Sequence, residues 1–316
     1  MAYSAGKARG TGTTTDLVVG WCVAAASALP ALAVSFPFSR AITIRQAQAE
    51  VLPAAARYDG LWSVLRRVGR EGGGGLGPYY RGAGTALLIT TTRAPLTFLL
   101  RLVVDNGVTP SPNMPLSLLS STATGAAVGA GTALVLQPLQ FAQTRLMLDM
   151  GGGAHGPRLF HNGLGVCRQV VAEAGPRALW TGGLGTVAAM ALHRGVSVGL
   201  YGGFNGLYSG AGTDGGLAAS TLLFRFGLGY TASVVAAAAA YPIETAVARY
   251  QVTVPPAPAA SAHHRGVLSC IRTVVAHEGV AALWRGFSIK FGTGVAGALG
   301  LIGYDMVKAN LRGNGS

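Results

Sequence analysis

Charged residues are scarce in this chain. Only 11% of its 316 residues are Asp, Glu, Lys or Arg, whereas an ordinary soluble domain carries about 25%. Long uncharged runs take their place, and several approach or exceed the roughly 20 apolar residues that span a bilayer. The runs cover residues 17–39, 107–144, 195–213 and 226–243. They favour a membrane protein over the alternative class, a soluble glycine-rich helical protein.

Clusters of chemistry-bearing side chains are lacking as well. Cys22, Cys167 and Cys270 stand alone, so the sequence predicts neither a disulfide framework nor a metal site, and we expect these thiols to pack as small hydrophobic groups. No nucleophile–base or paired-carboxylate constellation is recognisable, which argues against an enzyme. The net charge of +13 comes mostly from thinly spread arginines without interleaved aromatics, which disfavours nucleic-acid binding.

A threefold repeat is present instead. A proline lies late in an apolar run at Pro37, Pro138 and Pro242. A glycine opens a short amphipathic stretch at Gly60, Gly163 and Gly266. An aromatic-x-Gly triplet opens the next apolar run at Tyr80-Arg81-Gly82, Trp180-Thr181-Gly182 and Trp284-Arg285-Gly286. Because three independent elements recur at about 100 residues, each repeat is predicted to be a long helix, a short surface helix and a second long helix.

The repeats define the predicted organisation of the chain. A polar N-terminal tail covers residues 1–15, and its composition is similar to that of a mitochondrial presequence, although it is short and shows no clear amphipathic pattern. Three repeats then cover residues 16–110, 111–213 and 214–312, and a short tail covers 313–316. Proline inside a membrane helix is tolerated because neighbouring groups satisfy the carbonyl that it frees.

These residues resemble the mitochondrial carrier family, whose threefold signature is Pro-x-acid-x-x-base. The resemblance covers about residues 16–311, and within the family it is closest to a degenerate ADP/ATP carrier. The segments that carry it are residues 37–48, 138–146, 160–167 and 304–308. The resemblance implies an all-α fold of six transmembrane helices around a central cavity, with three short matrix helices, in the mitochondrial inner membrane. It also implies transport by alternating access.

The charged gates of the family are thinned in this chain. The family's matrix gate pairs an acid two residues after each proline with a base five residues after it. Those positions hold Ser39 and Ile42, Gln140 and Gln143, and Glu244 and Val247. Glu244 is therefore predicted to be a lone buried acid, whereas Gln140 and Gln143 could hydrogen-bond across helices. In the cytoplasmic gate the third repeat keeps Asp305 and Lys308.

The nucleotide-binding cations implied by the resemblance are missing too. Leu32, Ile89 and Thr293 occupy their positions, which disfavours ADP/ATP exchange. Candidate substrate residues at membrane depth are Arg93, His193 and Arg194, beside Ala189 and Met190, which replace the family's contact residues. The alternative is structural: the arginines cap carbonyls or bind interhelical polar groups, and His193 packs between helices.

The helix-start glycines suit lipid phosphate, because free N–H groups and a partial positive charge meet there. In the family such pairs bind cardiolipin, here implying Gly60, Gly82, Gly163, Gly182, Gly266 and Gly286, with Arg81 and Arg285 beside two of them. The alternative is that these glycines only form tight turns. No other cofactor is expected.

Two functional hypotheses follow. The fold-defining residues are kept while gates and substrate cations are lost, so the first is a non-transporting structural subunit of a respiratory or ATP-synthase complex. The second is an active transporter of a small anion or other metabolite that uses Arg93, His193 and Arg194.

Overall fold

Helices form every regular element in the part of the chain that the structure, a computed structural model, describes. That part comprises residues 14–52, 57–58, 60–71, 75–107, 114–149, 159–209, 219–255 and 264–292. The helices are α1 (Thr14–Val51), α2 (Leu61–Glu71), α3 (Ala83–Gly107), α4 (Met114–Leu148), α5 (Gly163–Ala174), α6 (Gly183–Ser209), α7 (Ala219–Val252) and α8 (Val267–Glu278). Residues 287–292 are also helical.

Five of these helices are long, and they alternate with the short helices α2, α5 and α8. Three stretches combine the length and hydropathy of a membrane span: Gly77–Val104, Leu119–Leu148 and Gly227–Val252. A fourth qualifies if Val267–Glu278 and Val280–Gly292, which meet at 118°, are taken together. Most of the sixth predicted span lies outside the described residues. The all-α, multi-span fold class is confirmed.

The long helices enclose a common interior. α1 packs on α3, α3 on α4, α4 on α6 and α6 on α7, while α7 also contacts α1. Each short helix lays its apolar face on the end of the preceding long helix. Val64 of α2 packs with Ile44, Val166 of α5 with Phe141, and Cys270 of α8 with Ala246.

Small residues let α4 and α6 approach closely. A Cβ on Gly125 would lie 2.9 Å from the carbonyl oxygen of Arg194, and one on Gly129 would lie 2.6 Å from that of Met190. From the other side, a Cβ on Gly199 would lie 2.2 Å from the hydroxyl of Thr122. Backbone contact of this kind is how helices associate where lipid removes the hydrophobic driving force.

The repeat prolines are tied to the aromatic-x-Gly triplets of the same repeat. Proline has no N–H, so it frees the carbonyl four residues earlier. Pro242 frees the carbonyl of Ala238, which accepts a hydrogen bond from Trp284 Nε1 at 3.3 Å. Pro37 frees the carbonyl of Ala33, which accepts one from the Tyr80 hydroxyl at 2.8 Å. In the first and third repeats the first residue of the triplet therefore replaces the bond that the proline removes.

The residue before each proline makes a second link to the triplet. The Tyr241 hydroxyl donates to the carbonyl of Arg285 at 3.1 Å, and Gln137 Nε2 donates to that of Thr181 at 3.3 Å. In the first repeat Phe36 stacks on Tyr80, with ring centroids 6.3 Å apart. These links pin the first long helix of each repeat to the start of the second.

Candidate functional site

A cavity of about 300 Å³ lies between α1, α3, α4, α6 and α7. All three repeats contribute matching positions to its wall. Two residues after each proline lie Ser39, Gln140 and Glu244, and nine residues after each proline lie Gln46, Met147 and Gln251. The cavity thus runs past the level where the family places its matrix gate. At this level the wall is mostly amide and hydroxyl.

Three of the five predicted substrate residues face this cavity. Arg93 of α3 lines it together with Ala189 and Met190 of α6. His193 and Arg194 lie one turn farther along α6 and are not part of its wall. Arg194 is exposed and its stem lies against Gly129, whereas His193 Nε2 is buried without a hydrogen-bond partner among the described residues.

Glu244 is not the lone acid that the sequence predicts. Its Oε2 lies 2.5 Å from Nζ of Lys290, in the helical segment 287–292, and this ammonium group also lies 5.3 Å from the ring centroid of Tyr241. The prediction was wrong because it considered the usual partner positions on neighbouring repeats, whereas Lys290 belongs to the same repeat. The signal for it was available: Lys290 follows the Gly286 triplet by one helical turn.

The two gate glutamines also face the cavity. Gln140 and Gln143 both line it, but Nε2 of Gln140 is a buried donor without a partner among the described residues. The predicted interhelical hydrogen bond of Gln140 is therefore not formed through this atom. Asp305 and Lys308, the predicted cytoplasmic gate residues, lie outside the described residues.

A ring of three buried arginines, which sequence reasoning missed, links the C-terminal parts of α1, α4 and α7. Arg40 Nε donates to the carbonyl of Met147 at 3.2 Å. Arg145 Nη1 donates to the carbonyl of Val252 at 3.0 Å. Arg249 Nε donates to the carbonyl of Gln46 at 3.0 Å. Arg145 Nη2 also donates to the carbonyl of Val254, just beyond α7. Each of these helices thus donates from a guanidinium to the next and accepts from the one before, and we call the set the arginine ring.

The arginine ring has a clear physical basis. The carbonyls of Met147 and Val252 lie in the last turn of α4 and α7, where carbonyls have no intrahelical partner and carry partial negative charge, so a cation there is stabilised. The carbonyl of Gln46 lies one turn before the end of α1 and accepts from Arg249 in addition to its helical bond. All three side chains are buried, from 1% to 4% exposed. A partial signal lay in the sequence, because Arg145 and Arg249 both follow their proline by seven residues. Arg40 follows its proline by three, which breaks the pattern.

A charged cluster at the start of the third triplet extends this ring. Glu278, the last residue of α8, accepts a hydrogen bond from Arg249 Nη2 at 3.1 Å and from Arg285 Nη1 at 2.6 Å. Burial would raise the pKa of the Glu278 carboxyl, but the hydrogen bond and charge of Arg249 and the charge of Arg285 hold this pKa below its usual value. Arg285, a predicted lipid-binding residue, thus uses part of its guanidinium group to bind Glu278.

Arg81, the other predicted lipid arginine, is similarly engaged. Its Nη2 lies 2.6 Å from Oδ2 of Asp149 and also donates to the carbonyl of Phe160. The same carboxylate oxygen accepts from the backbone N–H of Phe160 at 2.9 Å. Arg81 therefore joins the first repeat to the second.

The predicted lipid glycines differ in their backbone conformation. Gly82, Gly182 and Gly286 have positive φ of 88°, 76° and 94°, so the turn itself requires glycine there.

Helix starts from neighbouring repeats also lie together. A Cβ on Gly163 would lie 2.5 Å from the Thr85 hydroxyl, next to Gly82. A Cβ on Gly185 would likewise lie in close contact with the Val267 side chain. The helix starts that follow Gly182 and Gly266 therefore also lie together.

A family model described as mitochondrial carrier protein matches residues 114–212 and 219–315. The chain belongs to the mitochondrial carrier family. The predicted resemblance is therefore confirmed, and with it the helical repeats that surround the cavity.

Curated relatives match nearly the whole chain. ADP,ATP carrier protein 3 of Saccharomyces cerevisiae is 25% identical over 95% of this chain and 96% of its own length. ADP,ATP carrier protein ER-ANT1 of Arabidopsis thaliana is 27% identical over 93% and 94%. ADP/ATP translocase 4 of Homo sapiens is 28% identical over 93% and 90%. All three are named as carriers or translocases rather than enzymes.

Proposed function

We propose that this protein is a carrier that exchanges a small anionic solute across the mitochondrial inner membrane through its central cavity. The observation that carries the proposal is the cavity of about 300 Å³, to which all three repeats contribute polar groups and α3 contributes Arg93. A charged side chain at membrane depth is costly, so a residue kept there despite the cost marks a functional site by default. The family membership and the names of the relatives support transport.

In the proposed cycle the arginine ring is the matrix gate. It stands in for the ion pairs that Ser39, Gln140 and their neighbours cannot form. A guanidinium on a helix C-terminus gives directional bonds without a buried acid on the partner helix. Binding of the solute inside the cavity offsets the loss of these bonds when the matrix ends separate, which is the coupling that exchange requires.

The proposed solute is smaller than a nucleotide. The cavity is at the lower end of the range of ligand sites, about 300–1,000 Å³. Lys290 is already paired with Glu244, which leaves Arg93 as the uncompensated cation of the described wall. The phosphates of ADP or ATP would bring several negative charges to a site with one such cation.

The alternative of a non-transporting subunit of a respiratory or ATP-synthase complex is less well supported. It rests on the loss of the family's gate charges. The pair of Lys290 with Glu244 and the arginine ring supply charged closing contacts of another kind. The relatives named above are carriers, which also favours transport.

We also propose that cardiolipin binds where helix starts of neighbouring repeats meet, at Gly82 with Gly163 and at Gly182 with Gly266. The close approach of Thr85 to Gly163 supports the first of these positions. Added cardiolipin is expected to raise the melting temperature of delipidated protein more than an equal charge of phosphatidylglycerol does. Equal effects of the two lipids would contradict a specific site.

Exchange in proteoliposomes tests the transport proposal. The purified protein is reconstituted and loaded with unlabelled solutes, and uptake of radiolabelled carboxylates, phosphate and nucleotides is measured. Arg93→Gln should reduce uptake of the transported solute at least about tenfold, because the buried anion would lose its cation. Arg168→Gln, on the exposed face of α5, is the matched control and should transport normally.

Either of two results would overturn the proposal. One is the absence of exchange for every solute by protein that melts cooperatively. The other is robust ADP-for-ATP exchange that Arg93→Gln leaves unchanged. Stable co-migration of inactive protein with a respiratory or ATP-synthase complex would favour the structural subunit instead.

A further inference from the structure

Two buried donors in the cavity wall have no acceptor among the described residues. They are Nε of Arg93 and Nε2 of Gln140, which come from different repeats. A buried donor without a partner costs about 1–3 kcal/mol, and more when it is charged. Such groups in native proteins are usually matched by something that binds. Both residues also line the same cavity, so one ligand there can bind both side chains.

The charge of the described wall sets the charge of that ligand. Lys290 and Glu244 lie 2.5 Å apart and compensate each other. Arg93 therefore leaves a single positive charge, because the other cations near this level, including Arg194, are not part of the wall. A ligand with one negative charge brings the wall to neutrality. A ligand with two or more leaves an uncompensated charge in a poorly solvated site.

The remaining polar groups of the wall are neutral. Gln46, Gln143 and Gln251 offer amides that can donate or accept, and Thr43 and Thr186 offer hydroxyls. They suit a ligand whose uncharged part carries hydroxyl, keto or amide groups. Met147 and Met190 add apolar, adaptable surface beside them.

We propose that the cavity selects small monocarboxylates, with the carboxylate held between Arg93 and Gln140. A planar carboxylate accepts bonds from a guanidinium fork and from an amide N–H at the same time. This inference rests on the proposed transport function and names the solute class of the same site. Dicarboxylates, phosphate and nucleotides are excluded by charge, and neutral solutes leave both donors unsatisfied.

Uptake by proteoliposomes separates this inference from the transport proposal. Two-carbon to four-carbon monocarboxylates with and without a hydroxyl or keto group are compared with dicarboxylates of the same length, phosphate and ADP. The expected result is a preference for monocarboxylates over dicarboxylates of at least about tenfold. Exchange of dicarboxylates, phosphate or ADP in preference to monocarboxylates would overturn the solute class while leaving transport standing. Exchange of none would overturn both.

Two substitutions test the charge argument directly. Glu244→Gln removes the compensating acid, so the wall gains a charge and the preference should move toward dicarboxylates by about tenfold. Arg93→Lys keeps the charge but loses the fork, so monocarboxylate uptake should fall less than in Arg93→Gln. Melting temperatures of all variants check that they fold. An unchanged selectivity in folded Glu244→Gln would overturn the inference.

If Glu244→Gln fails to fold, Gln140→Leu provides the second test. It removes the unpartnered amide donor with little change in volume and leaves every charge in place. Monocarboxylate affinity should fall about tenfold while the preference over dicarboxylates remains. Unchanged affinity in this variant would contradict the role of Gln140.

Discussion

At the scale of single residues, the glycines of the aromatic-x-Gly triplets are fixed by backbone geometry. Gly286 has a φ of 94°, and a Cβ there would lie 2.8 Å from the Tyr241 hydroxyl. Gly266, by contrast, has an extended φ of 165° and open space around it. The two positions look alike in sequence, since both open a helix, but only the first demands the left-handed region.

Gly286→Ala is therefore expected to destabilise the protein by about 1–3 kcal/mol, through positive-φ strain and the contact with Tyr241. The melting temperature in detergent, followed by intrinsic fluorescence, measures the effect. Gly266→Ala is the control and should melt within a degree or two of the parent. Equal melting temperatures for the two variants would contradict the strained-turn explanation.

Glu278, at the end of α8, predicts a pH dependence of the protein's stability. Because its folded-state pKa is lowered, its contribution to stability is complete above the ordinary Glu pKa of about 4.3 and is lost as the pH falls through the folded value. Glu278→Gln should lower the melting temperature at pH 7 and flatten its fall between roughly pH 5 and 3.

The matched control for this prediction is Glu173→Gln. Glu173 is exposed on α5, where it accepts a hydrogen bond from Gln169 at 3.1 Å. Its substitution should leave the melting curve at each pH nearly unchanged, because exposed polar contacts contribute little. A Glu278→Gln protein with the parent's pH profile would mean that the cluster with Arg249 and Arg285 does not stabilise the fold.

At the scale of helices, each proline and its triplet act as one unit. Trp284→Phe should cost about 1 kcal/mol, since it leaves the carbonyl of Ala238 without a donor. Trp62→Phe, at a position 82% exposed, is the control for loss of an indole. In a Pro242→Ala background the restored N–H can bond to Ala238, so Trp284→Phe should then cost less. Equal melting losses in both backgrounds would refute the coupling.

Most of the helical plan could be predicted from sequence because it is repeated. The relative position of the two long helices in a repeat is fixed by its proline (Pro37, Pro138 or Pro242) and its triplet. Ala189 and Met190 were expected in the cavity from the family resemblance, and Arg93 from its helical spacing relative to Ile89, a position that the resemblance also supplied; all three line the cavity. The partner of Glu244 could not be found this way, because Lys290 meets it through tertiary packing within one repeat.

The arginine ring was harder still to predict. Its acceptors are backbone carbonyls, and every residue has one, so no motif marks them. Arg40 also occupies a different register from Arg145 and Arg249. Only the arrangement of α1, α4 and α7 shows that each guanidinium meets a carbonyl in the C-terminal part of the next helix.

At the scale of the whole molecule, the arginine ring predicts coupling between repeats. Arg145→Gln should cost about 1.5–3 kcal/mol, because a hydrogen bond from a charged group is lost at a buried helix end. The melting temperature measures this, with the exposed Arg168→Gln as control. Adding Arg40→Gln should then cost less than it does in the parent, because the ring is already broken. Strictly additive losses would argue for three independent contacts.

The circular order of these bonds has a mechanical consequence. Each of α1, α4 and α7 donates to the next helix of the ring and accepts from the one before, so none can move outward without breaking bonds to the other two. The three bonds are therefore expected to break together, after which water solvates the freed carbonyls, while Glu278 keeps its contact with Arg285. The end of the cavity that the arginine ring closes would then have two states, closed and open, with no stable intermediate.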